Sequence, residues 1–250
     1  MARTRTLLVT ALLALALVVS GCQTGPSTSV PEETPTADEL RQQTLSAMED
    51  VETATLTMDM TIEADGRTIE MTGDGTMNRS AKLMRMSFDV SAGSRDIQAT
   101  QYIDDDTMYM KVNDQWQSMN VREMTGQDPW ANNQLAQQEA VLEGAEVRIN
   151  GTTTVEDRHV YRLEVEANES VARSLMQQSA AGATGSMENV EIDRFQFTQY
   201  VDVETKHVRK IDMEMDMTVQ GQQANSAITM TFSDFNEDVT IQVPEEATSA

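Results

Sequence analysis

A single cysteine, Cys22, stands in 250 residues, so no internal disulfide can form. A thiolate zinc site goes with it. Only two histidines are present, His159 and His207, and both fall beside predicted turns, where a histidine is ordinarily a surface residue. No glycine-rich phosphate loop separates a predicted strand from a predicted helix, and no G-x-S-x-G elbow occurs. Asp104-Asp105-Asp106 lacks the spaced oxygens and the glycine of a calcium loop and reads as a solvated turn. These absences leave no catalytic constellation, no metal site and no cofactor. The chain is expected not to be an enzyme.

Positive charge is scarce as well. Lys and Arg total 18 against 41 Asp and Glu, for a net charge of −23. Arg3 and Arg5 lie in the N-terminal segment, so the remainder is more negative still. Such a surface repels nucleic acid and anionic lipid headgroups. The acids are dispersed rather than blocked, which argues against a disordered acidic tail. Dispersed acidity with little lysine resembles the proteins of salt-loving organisms. Aromatic residues are 4% of the chain, too few to fill an interior.

Long apolar runs are limited to one. Leu7 to Val19 follows Arg3 and Arg5 and is too short to span a bilayer comfortably. Val19-Ser20-Gly21-Cys22 resembles the lipobox of lipoprotein signal peptides. That resemblance implies cleavage before Cys22 and attachment of diacylglycerol to its thiol, with palmitate-type chains anchoring the protein. Two lipid chains suffice for stable anchoring, where one is marginal. Residues 1–21 are thus expected to be a signal peptide, and 22–36 a lipid-anchored flexible tether rich in Ser, Thr, Pro and Gly. One domain is expected over 37–244, with a polar tail at 245–250. The expected location is the outer face of the cytoplasmic membrane.

What the chain does have is methionine, 18 in all. In KIDMEMDMTV, Met213, Met215 and Met217 alternate with Asp212, Glu214 and Asp216. Successive side chains of a strand point to opposite faces, so this is a strand with one buried and one wet face. The habit recurs in Leu56, Met58, Met60 and Ile62, in Met84, Met86, Phe88 and Val90, in Met108, Met110 and Val112, and in Ile228, Met230 and Phe232.

The remaining elements follow from local signals. Thr36-Ala37-Asp38-Glu39 is a capping box that opens a helix of about 37–51. Strands are predicted at 54–64 and 67–77 around the hairpin signal Asp65-Gly66, then at 82–90, 95–103, 107–112 and 115–121. WANNQLAQQEAVLEGA predicts a second helix ending near Gly144. ESVARSLMQQSAA, capped by Asn168, predicts a third. Strands are predicted at 145–153, 158–167, 190–201, 206–219 and 225–235. Short connections imply an antiparallel sheet. Asn78, Asn150 and Asn168 head N-x-S/T sequons and are glycosylation candidates.

Three stretches carry a family resemblance: Tyr102 to Val121, Tyr200 to Met217 and the ending VTIQVPEE, Val239 to Glu246. With the leading helix and long strand meander, they resemble the LolA-like lipoproteins and lipoprotein carriers. Tyr200 to Met217 is similar to that group's aspartate–threonine turn. The resemblance implies an α+β fold: a strongly bent antiparallel half-barrel of about eleven strands, with about three helices covering a greasy concave face. It also implies a lipid or acyl chain as ligand, and transport or transfer as a role. This chain departs from soluble carriers in having its own anchor.

Two accounts of the methionines compete. Either they are core, or part of the face lines a ligand cavity. Methionine is unbranched and polarizable and suits varied apolar partners, whereas it specifies a unique core poorly. Candidate wall residues are Leu56, Met58, Met60, Ile62, Met84, Met86, Phe88, Met108, Met110, Ile211, Met213, Met215, Met217, Met230 and Phe232. Burying a 16-carbon chain releases on the order of 12 kcal/mol before entropic costs. The expected function is a membrane-anchored lipoprotein that binds a lipid, an acyl chain or another hydrophobic molecule. The alternative is a cell-envelope interaction or structural lipoprotein with a filled core and no small ligand, whose protein partner the sequence does not name.

Overall fold

The computed structural model describes residues 34–126, 128–130, 146–166, 190–219 and 221–249. The chain divides into two units, 1–35 and 36–250, and the second carries the fold.

It opens with α1 (Ala37–Glu49). The capping box forms as its residues dictate: the Thr36 hydroxyl accepts from the Glu39 amide at 3.3 Å, and the Thr36 amide donates to the Glu39 carboxylate at 2.9 Å. Its apolar stripe buries Leu40 and Met48, with Thr44 between them. Six strands follow: β1 (Thr53–Ala64), β2 (Arg67–Asn78), β3 (Leu83–Ala92), β4 (Arg95–Asp104), β5 (Thr107–Val112) and β6 (Gln115–Asn120). Five more close the chain: β7 (Glu146–Val155), β8 (Arg158–Glu166), β9 (Val190–Asp202), β10 (Val208–Val219) and β11 (Gln222–Ser233).

Turn chemistry explains the hairpins. Asp65-Gly66, Asn113-Asp114 and Glu156-Asp157 each hold two consecutive residues at positive φ, the backbone that matches the right-handed twist of paired strands. Asp and Asn tolerate this conformation, and Gly66 adopts it freely.

All eleven strands pair antiparallel in one sheet, in the order β6-β5-β4-β3-β2-β1-β11-β10-β9-β8-β7. The first six meander out to one edge, and the last five meander in from the other. They are zipped together where Thr55–Ala64 pairs with Ala224–Ser233. The edges β6 and β7 do not pair, so the sheet is an open half-barrel of α+β class. The join is pinned by Asn236, whose Oδ1 accepts from the Glu52 amide at 2.7 Å and whose Nδ2 donates to the Asp50 carbonyl at 3.2 Å.

The helices depart from expectation more than the strands do. The predicted second helix, beyond Trp130, and the predicted third helix lie outside the described residues. Instead a short α2 (Val121–Thr125) starts where Asn120 Oδ1 accepts from the Glu123 amide at 2.8 Å, and stops at Gly126 with φ 71. Residues 245–250, read from sequence as a polar tail, include α3 (Glu245–Thr248). Its Ala247 is fully buried beside β5 and β6.

Candidate functional site

Directly paired residues of an antiparallel sheet share a face. The registers therefore place every candidate wall residue on one side. Met110 faces Gln101, Met86, Gly75, Leu56 and Phe232 across one tier of strands. The next tier runs Phe88, Gly73, Met58, Met230, Ile211, Gln199 and Leu163. Above it run Val90, Met71, Met60, Ile228, Met213, Phe197 and Val165. Met215 and Met217 sit nearer the β10–β11 turn, opposite Ser226 and Ala224. Met108 sits below Met110, in the tier of Ile103, Met84, Met77 and Ala54.

Along β1, β2 and β3 burial falls with height on this face, whereas on β8 and β9 Leu163, Gln199, Val165 and Phe197 stay buried in the upper tiers. Near α1, Ala54, Leu56, Met77, Met84, Met86, Ile211 and Phe232 form one buried cluster with Leu40 and Met48. Toward the hairpin tips, Met58, Met60, Ile62, Phe88, Met213, Met215, Met217 and Met230 are half-buried, as are Met108 and Met110 toward the β6 edge. At the tips, Ile69 is 37% exposed and Ile97 39%. The face is a filled core near α1 and along β8 and β9, and a partly covered apolar wall toward the tips of β1, β2 and β3.

Several residues of the wall escape the alternation of methionine. On β2, Ile69, Met71, Gly73, Gly75 and Met77 share this face. The two glycines are there because β3 leans over them. A Cβ at Gly75 would meet the Met86 sulfur and lie 2.8 Å from the Arg85 carbonyl; one at Gly73 would lie 3.1 Å from the Phe88 ring. On β9, Phe195 and Phe197 stack with ring centroids 6.4 Å apart. Alternation of Phe195, Phe197 and Gln199 was available as a signal. So was Gln199 itself, a polar residue at a core position. It is fully buried, and neither Oε1 nor Nε2 has a hydrogen-bond partner.

Asp202 anchors the turn between β9 and β10. Its carboxylate is 2% exposed and accepts from the Glu204 amide at 2.9 Å, the Thr205 amide at 3.0 Å and Arg158 Nε at 3.0 Å. Arg209 Nε adds a fourth bond at 3.3 Å. Burial pushes this carboxyl up, but the turn amides and Arg158 outweigh it and hold it below the usual range. This is the aspartate–threonine turn expected from Tyr200 to Met217. It is a staple tying β8, β9 and β10, with no geometry for chemistry. Next to it, His207 packs on Phe235 with ring centroids 4.5 Å apart. Desolvation and the Arg209 charge hold His207 below its ordinary value.

The opposite face is polar. A cavity of about 730 Å³ opens there between β2 and β5, lined by Glu70, Thr72, Asp89, Asp96, Lys111 and Asp114 among others. Among the described residues no three His, Cys, Asp or Glu side chains gather to hold a metal. No helix among them is long and apolar enough to cross a membrane. Asn78 Oδ1 accepts from the Ala81 amide at 2.8 Å, and Asn150 Nδ2, the atom a glycan would occupy, donates to Glu164 at 2.6 Å; Asn168 lies outside the described residues.

Fold and face together define an open half-barrel of the kind found in the lipoprotein LppX of Mycobacterium tuberculosis. That structure matches with a TM-score of 0.52 and 14% identity, over 82% of this chain and 99% of LppX. LprF of Mycobacterium bovis matches at 0.54 and 14%, over 83% and 96%. A LolA superfamily protein of Nitrosomonas europaea aligns over 85% and 97% at 9% identity, but its TM-score of 0.30 carries no weight. Identities this low define the fold and not the ligand. By sequence the chain belongs to DUF6612, a family of unknown function whose pattern matches residues 36–250. No curated protein matches it.

Proposed function

We propose that this protein is an exported lipoprotein, anchored through Cys22 at the outer face of the cytoplasmic membrane, that binds a lipid or acyl chain against the open half of its methionine wall. The observation that carries this reading is the burial gradient. On β1 the alternating pattern is fully packed from Leu56 down and half-covered from Met58 up, and β2 and β3 beside it follow the same course. A sheet built only to fill a core has no reason to continue methionine past the packed end, because methionine specifies packing poorly and accommodates flexible chains well. The half-barrel shared with LppX, itself described as a lipoprotein, supports the same reading. The acidic surface keeps the domain soluble, and the tether gives a reach of about 20 Å. Transfer of the cargo to an acceptor is the role this arrangement serves.

The test is mass spectrometry of organic extracts from protein beginning at Gln23, so that no covalent lipid confuses the result, against a mock purification. A stoichiometric lipid is expected. Protein that is clean and also refuses added lipid overturns the reading. Met215→Asp is expected to abolish uptake or folding, and Met215→Leu to fold and alter uptake; unchanged uptake in both removes Met215 from the wall.

One observation favours a second reading, an envelope interaction protein with a filled core. The 730 Å³ cavity lies on the polar face, where acids and Lys111 suit a polar partner better than a lipid. Clean protein in the extraction experiment selects this alternative.

A further inference from the structure

Gln199 is out of place chemically. Its register neighbours are Leu163 on β8 and Ile211 on β10, and Phe197 and Val201 flank it along β9 on the same face. All four are buried and apolar. Its carboxamide is cut off from solvent with both heavy atoms unpartnered. Buried polar groups are ordinarily hydrogen-bonded, and leaving one unpaired costs more than a typical hydrogen bond contributes. A methionine fits the same space, and this sheet uses methionine freely at equivalent positions such as Met58 and Met230. The same core holds a second orphan, the Thr44 hydroxyl on the buried stripe of α1, also fully buried and unpartnered. Two polar groups are thus maintained without protein partners on the inner side of the methionine wall.

A carboxamide offers both N–H donors and a carbonyl acceptor, and a hydroxyl likewise offers both. Their complement is a group that donates and accepts together. Esters accept only, and hydrocarbons do neither. An anionic head is disfavoured by the net charge of −23 and by the cost of burying a carboxylate without a cation. Resting on the lipid-binding reading above, we infer that the bound molecule is an apolar chain bearing a neutral amide or hydroxyl, and that Gln199 receives that group. Met230 and Met213, half-buried beside Ile211 and Phe197, are the unbranched side chains that would swing aside for such a group to reach Gln199.

The experiment is competition against Nile red, a neutral fluorescent probe of apolar sites, on protein beginning at Gln23. Hexadecanamide and methyl hexadecanoate, matched in chain length, are delivered from cyclodextrin. Hexadecanamide is expected to bind about tenfold tighter, the worth of one buried hydrogen bond. In Gln199→Met the ratio is expected to fall to about one while Nile red still binds, with the thermal midpoint as the folding control. Equal affinities in the unmodified protein overturn this inference and leave lipid binding standing. Failure of Nile red and both competitors to bind overturns both. A tenfold ratio that survives Gln199→Met overturns the role of Gln199. Should that variant fail to fold, Gln199→Leu takes its place, with the ratio again expected to fall to about one and a surviving tenfold ratio again counting against Gln199.

Discussion

Leu56 and Ile62 lie on the same strand and face the same way, and they differ mainly in height. Leu56 is 1% exposed, packed in the cluster that holds α1; Ile62 is half-buried, and its register partner Ile69 is 37% exposed. Phe232 and Met230 on β11 repeat the contrast, as do Ile211 and Met215 on β10. One binary pattern therefore serves two environments. Alternation fixes which side chains share a face, but the cover over that face is supplied by other elements. At the lower end the cover is α1, whose Leu40 and Met48 join the buried cluster.

The contrast can be broken most directly by truncation at each end. Leu56→Ala is expected to cost about 3 kcal/mol, whereas Met60→Ala, four residues up the same strand, is expected to cost about 1 kcal/mol or less. Urea unfolding of the two variants reads the difference; equal costs mean that the wall is packed throughout. Asp202→Asn, at the well-packed end, is expected to cost about 2–3 kcal/mol, because it removes the charge that holds Arg158, Arg209 and two turn amides. Gly75→Ala is expected to cost about 1–3 kcal/mol, since the Arg85 backbone cannot retreat easily, while Gly73→Ala costs less because a ring can tilt.

The smallest effect concerns pH. His207 and Asp202 are both held below their ordinary values in the fold. Each therefore contributes stability that is present above its unfolded value and lost as pH falls through its folded value. Stability is expected to decline gently below about pH 6.5 through His207 and more steeply below about pH 4 through Asp202. Thermal midpoints between pH 8 and 3 measure this, and His207→Gln is expected to flatten the upper part only.

Much of the sheet was legible. The eleven strands fall within a few residues of their expected bounds, because period-two alternation and Asp-Gly or Asn-Asp turns are local signals. The Asp202 turn was legible as a motif but not as a staple, since Arg158 reaches it from 44 residues away. The glycines of β2 were not legible as part of the wall. Their reason is the lean of Met86 and Phe88 from the neighbouring strand, which no local pattern encodes. α2 and α3 were missed because a single helical turn has too few residues to show a period.

By itself the sequence determined the faces, the turns, the charge and the absence of a familiar catalytic or metal motif. All of these are properties of residues a few positions apart. Only the tertiary structure decided that β1 meets β11 and leaves β6 and β7 apart. It also decided where the methionine face passes from packed to half-covered, and that Gln199 sits without a partner among apolar neighbours. Those outcomes depend on contacts between residues distant in the chain, and burial is a property of what lies across the gap rather than of the strand that faces it.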